Sequence, residues 1–271
     1  GLSMGGIVVT PFIKWILDTQ GIRNGSPWLA LIWFCGTVPV TLLLLRAFPQ
    51  PYGWLPDGAR AAPGDIANIS GTPLAEAVRS RFYKSVTFGY IFALGAQVGG
   101  ALQLVKLVEE RTDRSTATLA TIVLSTMSIL SRFAAGRIIP KINMTRFTVG
   151  LAGLQGISLA SLGLINNRIG LLIAIGLFGV TIGNMVMMQS LLLAERFGVR
   201  DYPKIAARSG LISFSGTALG PLLLGWLYDV AGGYRSSYLA AGACSIIGAI
   251  LFSFAGSASV ASTEVASAQS Q

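Results

Sequence analysis

The stretch Met127–Arg146, MSILSRFAAGRIIPKINMTR, decides how the chain is read. An apolar run takes in Arg132, breaks at a short turn holding Arg137, Lys141 and Arg146, and resumes as apolar sequence. Cytoplasmic loops collect Lys and Arg, so two membrane-length runs joined by a basic turn read as helices meeting on the cytoplasmic side of a bilayer. Arg132 is then either an anchor for that turn or a group that meets a ligand.

Composition carries the same reading to the rest of the chain. Of 271 residues, 52% are hydrophobic and only 11% charged, with a mean hydropathy of +0.65. Soluble domains carry about a quarter charged residues, so this chain lacks the means to cover a water-facing surface. Several apolar stretches reach the roughly 18–20 residues that cross a bilayer. The expected fold is an all-α polytopic transmembrane helical bundle. The net charge of +9 lies in short loops between apolar runs, which fits the positive-inside rule and not a nucleic-acid partner. Cys35 and Cys244 each sit within an apolar run and read as small packing residues. The absence of histidine excludes imidazole metal sites, His-based triads and His proton relays. No metal or other cofactor is expected.

Eight apolar segments are expected. Gly1–Leu17 carries Pro11 and Lys14; a turn-rich loop, Gly21–Pro27, leads into Trp28–Phe48. Residues 49–82 form a Pro/Gly/Ala-rich cytoplasmic linker ending in an amphipathic piece, Pro73–Arg81. Six spans follow within 83–256: Tyr83–Val105, Thr116–Gly136, Phe147–Ile165, Ile169–Leu193, Ile205–Leu227 and Ser237–Ala255. Residues 257–271, rich in Ser, Ala and Gln, read as a disordered cytoplasmic tail. Residues 1–48 would be the last two helices of an N-terminal bundle. The chain opens on Gly1 with no basic segment before a cleavage site, which reads as the downstream part of a longer protein.

Placing the linker inside and alternating sides puts 13 of the 20 Lys and Arg residues inside and 6 outside, with Lys14 left in a span. The opposite topology would invert the bias, so the linker, the turns after Arg132 and after Glu195, and the C-terminus are expected in the cytoplasm. Gly176, Gly179 and Gly183 in one span, and Gly216, Gly220 and Gly225 in another, are expected to let helix backbones approach closely.

Local motifs sharpen the reading. SRFAAGRIIPK (Ser131–Lys141), LLLAERFGVRDYPKIAARSGL (Leu191–Leu211), GTALGPLLLGWLYDVAGGY (Gly216–Tyr234) and PYGWLPDG (Pro51–Gly58) resemble loop and helix patterns of the major facilitator superfamily. The branch they resemble contains the bacterial monocarboxylate porters and oxalate:formate antiporters. The resemblance covers essentially the whole chain as helices five to twelve, and implies four missing N-terminal helices as partners. It also implies that Arg137, Lys141 and Arg200 belong to gating loops, and that an arginine at the position of Arg132 binds a substrate carboxylate. The pattern's acidic residue in the loop between helices eight and nine is replaced here by Pro140, and its following Gly by Asn143.

Candidate substrate-binding residues are Arg132, Gln97, Tyr90, Asn184 and Lys14. An arginine in a span costs about 2.5–3.5 kcal/mol on insertion scales, so Arg132 needs a partner, a wet cavity or an escape to the interface. Its planar fork suits a carboxylate, but snorkelling to the headgroups is an equal alternative. Ser128, one turn earlier, offers it no ion pair. Lys14 lies one turn before Asp18, where an i,i+4 ion pair competes with a substrate role. Gln97, Gln103, Asn184, Gln189 and Tyr90 either line a cavity or bond between helices, and Met185, Met187 and Met188 read as packing. No Asp or Glu lies deep within a span; Glu195 and Asp229 fall at span ends.

The expected function is secondary active transport, symport or antiport, of a small organic mono- or dicarboxylate anion by alternating access in a bacterial inner (plasma) membrane. Proton-coupled drug or metabolite efflux ranks second, since GLSMGGIVVTPFIK lacks the adjacent Gly-Pro of drug antiporters. A non-transporting receptor or a membrane enzyme is the alternative of another class. Without histidine or intramembrane acids, an enzyme has little to work with, and none is expected.

Overall fold

The computed structural model describes residues 2–44 and 71–258. The expected Pro51–Gly58 motif, most of the linker and the tail from residue 259 lie outside the described residues. So do the side chains of Lys14 and Pro140. The chain divides into two compact units, Gly1–Ile69 and Ser70–Gln271. The described residues are almost entirely helical, and seven stretches are long and apolar enough to cross a membrane.

In the first unit, helix α1 (Leu2–Leu44) is interrupted at Gly21, whose φ of 69° and ψ of 168° end one limb and begin the next. Gly25 packs against Ile16 and Leu17: a Cβ there would lie 3.2 Å from Ile16 and 3.3 Å from Leu17. In a straight helix, residues nine apart are about 13 Å apart along the axis, so the chain folds back at Gly21. Two limbs were expected, but not this connection. The loop Gly21–Pro27 is reduced to one left-handed glycine, with residues 22–27 helical. The Ser26 hydroxyl donates to the Ile22 carbonyl at 2.7 Å, keeping a turn-forming residue within the helix. Within this unit the stretch Trp15–Leu42, which includes the break, is long and apolar enough to cross a membrane.

The second unit opens on a short helix, α2 (Leu74–Ala77), followed by α3 (Arg81–Arg111) and α4 (Arg114–Ile138). A 3-10 turn, Ile139–Lys141, leads to α5 (Met144–Leu164), α6 (Arg168–Phe197), α7 (Tyr202–Ala231) and α8 (Tyr234–Ser253). The six long helices fall on the six expected spans and overrun most of them by a few residues, and polar caps begin four of them. Ser80 accepts from the Tyr83 amide, Asp113 from Thr116, Asn143 from Arg146 and Asn167 from Gly170.

Helix α3 packs on α7 and α8, α4 packs on α6, and α5 packs on α6 and α8. One core cluster gathers Phe82, Tyr90, Met185, Met188, Phe197 and Phe252; the other holds Leu107, Leu159, Leu162, Phe178 and Tyr238. Glycine sets several of the seams. A Cβ on Gly220 would overlap the Gly95 carbonyl of α3, and one on Gly183 would overlap the Ser128 carbonyl of α4. Gly225 and Gly176, expected in the same role, have no atom nearer than 3.7 Å and do not set the approach. The outer faces of α4 and α7 are the most exposed of the six, with Phe133, Leu211, Leu222 and Trp226 bare. Apolar surface of that extent demands lipid or further helices.

Candidate functional site

Helix α6 gathers three of the candidate residues, Arg132, Tyr90 and Asn184. From α4, Arg132 Nε donates to the Gly183 carbonyl at 2.6 Å. From α3, the buried Tyr90 hydroxyl donates to the Met185 carbonyl at 3.1 Å. Those two carbonyls belong to residues two apart, about 200° around the helix, so α4 and α3 grip α6 from opposite sides. Between them Asn184 donates from Nδ2 to its own helix at Val180, 3.0 Å away, and its buried Oδ1 has no donor among the described residues.

Arg132 is half-buried. Neither its terminal amines nor any other part of it meets a carboxylate among the described residues, where the one ion pair is Lys204–Asp201 at 3.2 Å on the surface. The snorkelling alternative therefore takes a specific form: the side chain is tied by Nε to a backbone oxygen inside the bundle, with the outer fork unspent. Gln97 on α3 is also buried and has an Nε2 donor without an acceptor. Two donor groups with no carboxylate partner among the described residues favour an anion over a cation.

Asn184 sits apart from Arg132 in one respect. It lines a cavity of about 590 Å³ between α4 and α5, with Ser131 and Arg146, and Arg132 does not border that space. A second cavity, about 490 Å³ between α3, α7 and α8, is walled by apolar side chains such as Phe92, Leu223 and Trp226 and has nothing to hold a charge.

Gln189 proves to be a packing residue: its Nε2 donates to Ser209 at 3.2 Å and Ser213 at 2.9 Å, tying α6 to α7. Arg137, Lys141 and Arg200 are exposed at one end of the bundle, without carboxylate partners among the described residues. At that end residues 71–77 dock on the α6–α7 turn. Gly71 bridges to Gly198, Thr72 N donates to the Phe197 carbonyl at 2.8 Å, and Leu74 N donates to Asp201 Oδ2 at 3.0 Å. The Leu74 amide, and then the Lys204 ammonium, hold the Asp201 carboxyl below the usual carboxylate range.

Sequence reasoning passed over three polar groups that the fold uses. Gln155 is wholly buried and donates from Nε2 to the Ala93 carbonyl at 2.8 Å and to Ser245 at 3.0 Å. Its signal, an amide within an apolar run, was present. Arg111 caps the C-terminus of α5, donating to the carbonyls of Leu162, Gly163 and Ile165; nothing local predicts that. Thr145, in the first turn of α5, is buried with its hydroxyl unpartnered.

No protein-family model matches the chain, and no curated protein matches it.

Proposed function

We propose that the chain is part of a secondary transporter for a small organic anion, a mono- or dicarboxylate, with Arg132 as its anion contact. The observation that supports this is the guanidinium inside α4, secured by Nε to Gly183 with its terminal amines unspent and no acid beside it. A guanidinium so held presents two parallel N–H donors, the geometry a carboxylate accepts. Gln97 adds a buried donor on α3. On this reading, which rests also on the resemblance to the major facilitator superfamily, four further helices complete the solute cavity. Two helix bundles then rock about a midplane site.

The test is uptake of labelled mono- and dicarboxylates into proteoliposomes holding the full-length protein. Transport saturable by a carboxylate, and weakened by Arg132→Ala, is the expected outcome. Unchanged affinity and rate in Arg132→Ala would remove the binding role.

A further inference from the structure

Arg146 borders two cavities of opposite character. On one side is the cleft between α4 and α5, floored by α6 and walled by side chains such as Leu130, Ile138, Phe147 and Leu154. Both helices pack on α6 without packing extensively on each other, which leaves the cleft open along its length. On the other side is a polar cavity of about 420 Å³ between the first turn of α5 and the end of α8, bordered by Asn143, Thr145, Ser253 and Ser257.

The polar cavity has the features of a phosphate site. It sits at the N-terminus of a 21-residue helix, where backbone amides and the helix dipole favour an anion. Asn143 already caps the Arg146 amide at 3.0 Å, which leaves the earlier amides of the turn for another acceptor. Thr145 lines the cavity, is 6% exposed, and its Oγ1 has no hydrogen-bond partner. Arg146 supplies the charge.

The apolar cleft has the depth of one leaflet. Its wall on α4 runs from Met127 to Ile138, a rise of about 16 Å along the helix. Half of a bilayer's hydrocarbon core is about 15 Å. The cleft thus starts at the helix ends beside Arg146 and stops near the middle of α4.

We propose that this paired site binds one anionic phospholipid of the adjoining leaflet, with its phosphate at Thr145 and Arg146 and one acyl chain in the α4–α5 cleft. Basic pockets between membrane helices suit such headgroups, and an acyl chain covers the exposed apolar wall of α4. The Asn184 carbonyl oxygen at the deep end takes no part, because an acyl chain has no donor for it. This site is separate from Arg132 and does not depend on the transport reading.

The test is native mass spectrometry of the full chain, loaded from mixed micelles of phosphatidylglycerol and phosphatidylcholine. sn-Glycerol 3-phosphate serves as the competitor without a tail. The chain is expected to retain phosphatidylglycerol preferentially, and Arg146→Ala to lower that preference about fivefold. Thr145→Val should lower it further. Gly150 lines the cleft and an added Cβ meets nothing within 4 Å, so Gly150→Leu fills the cleft without disturbing packing and should reduce retention by itself. Arg168→Ala, at the opposite end, should retain lipid as the wild type does. Full retention in both Arg146→Ala and Gly150→Leu would overturn the proposal. Displacement by equimolar glycerol phosphate would instead make this a site for a free phosphate ester. Loss of retention in Asn184→Leu would mean a hydrogen-bonding solute and not an acyl chain.

Discussion

Arg132 Nε lies 2.6 Å from the Gly183 carbonyl, so an arginine set within an apolar span is tied to the backbone of the neighbouring helix. The same α4–α6 seam depends on Gly183 having no side chain, since a Cβ there would overlap the Ser128 carbonyl. The close approach of the helices brings the carbonyl within reach, and the arginine then fixes its own orientation against it.

Arg132→Lys is therefore expected to behave unlike a conservative change. An ammonium is a single point of charge and cannot hold Gly183 while offering a parallel pair of donors. Uptake by the proteoliposomes should show KM for carboxylate rising about tenfold or more in Arg132→Lys, with a larger loss in Arg132→Ala. Wild-type KM in the lysine variant would mean that charge alone suffices.

The α3–α7 seam should not tolerate a side chain at Gly220. The obstacle is the Gly95 backbone carbonyl, which no rotamer change can move, and overpacking of this kind costs about 1–3 kcal/mol. Gly220→Val should lower the thermal midpoint in detergent or prevent accumulation of folded protein. Gly225→Ala, with its nearest neighbour 3.7 Å away, should unfold like the wild type.

Gln155 should be a stabilising residue. It joins α5 to α3 through Ala93 and to α8 through Ser245. Interhelical hydrogen bonds in membrane proteins contribute about 0.6 kcal/mol on average and up to about 1.7. Gln155→Leu should cost an amount in that range, measured by reversible unfolding in mixed micelles; a more stable variant would show that burial of the amide outweighs its bonds.

Docking of residues 71–77 on the α6–α7 turn should depend on pH through Asp201. Its carboxyl is held low by the Leu74 amide and Lys204. The stabilisation is therefore complete above the ordinary carboxylate pKa of about 3.9 and is lost as pH falls through the depressed value. Protection of the Leu74 amide against hydrogen exchange, relative to its intrinsic rate, should be full at neutral pH and fall as the Asp201 carboxylate is protonated below the ordinary carboxylate range. Asp201→Ala should remove that protection throughout, and full protection in that variant would show that the backbone bonds of Thr72 hold the segment unaided.

The six spans of the second unit were legible because each is an apolar run of bilayer length; the helices overrun most of them by a few residues, six at the C-terminal end of α3. The break at Gly21 was less so. Asn24, Gly25, Ser26 and Pro27 have the composition of a loop, yet one left-handed glycine reverses the chain and the others remain helical. Among the glycines, spacing alone could not separate Gly220, pressed on a carbonyl, from Gly225, whose nearest neighbour is at ordinary contact distance. Arg132 was conspicuous in the sequence as a charge in an apolar run. Thr145 was not, because a threonine near a helix start is ordinary until the cavity beside it is known.

By itself the sequence determined that this is a helical membrane protein, where the long helices of the second unit run, and which arginine would need an explanation. Those are consequences of hydropathy and charge along one chain, a local property. Tertiary structure alone decided that Arg132 meets Gly183, that Tyr90 and Arg132 hold opposite sides of α6, and that Arg146 stands between a polar and an apolar cavity. These depend on which helix faces meet, and in a uniformly apolar bundle that is settled by the fit of small residues against backbone, which hydropathy does not encode.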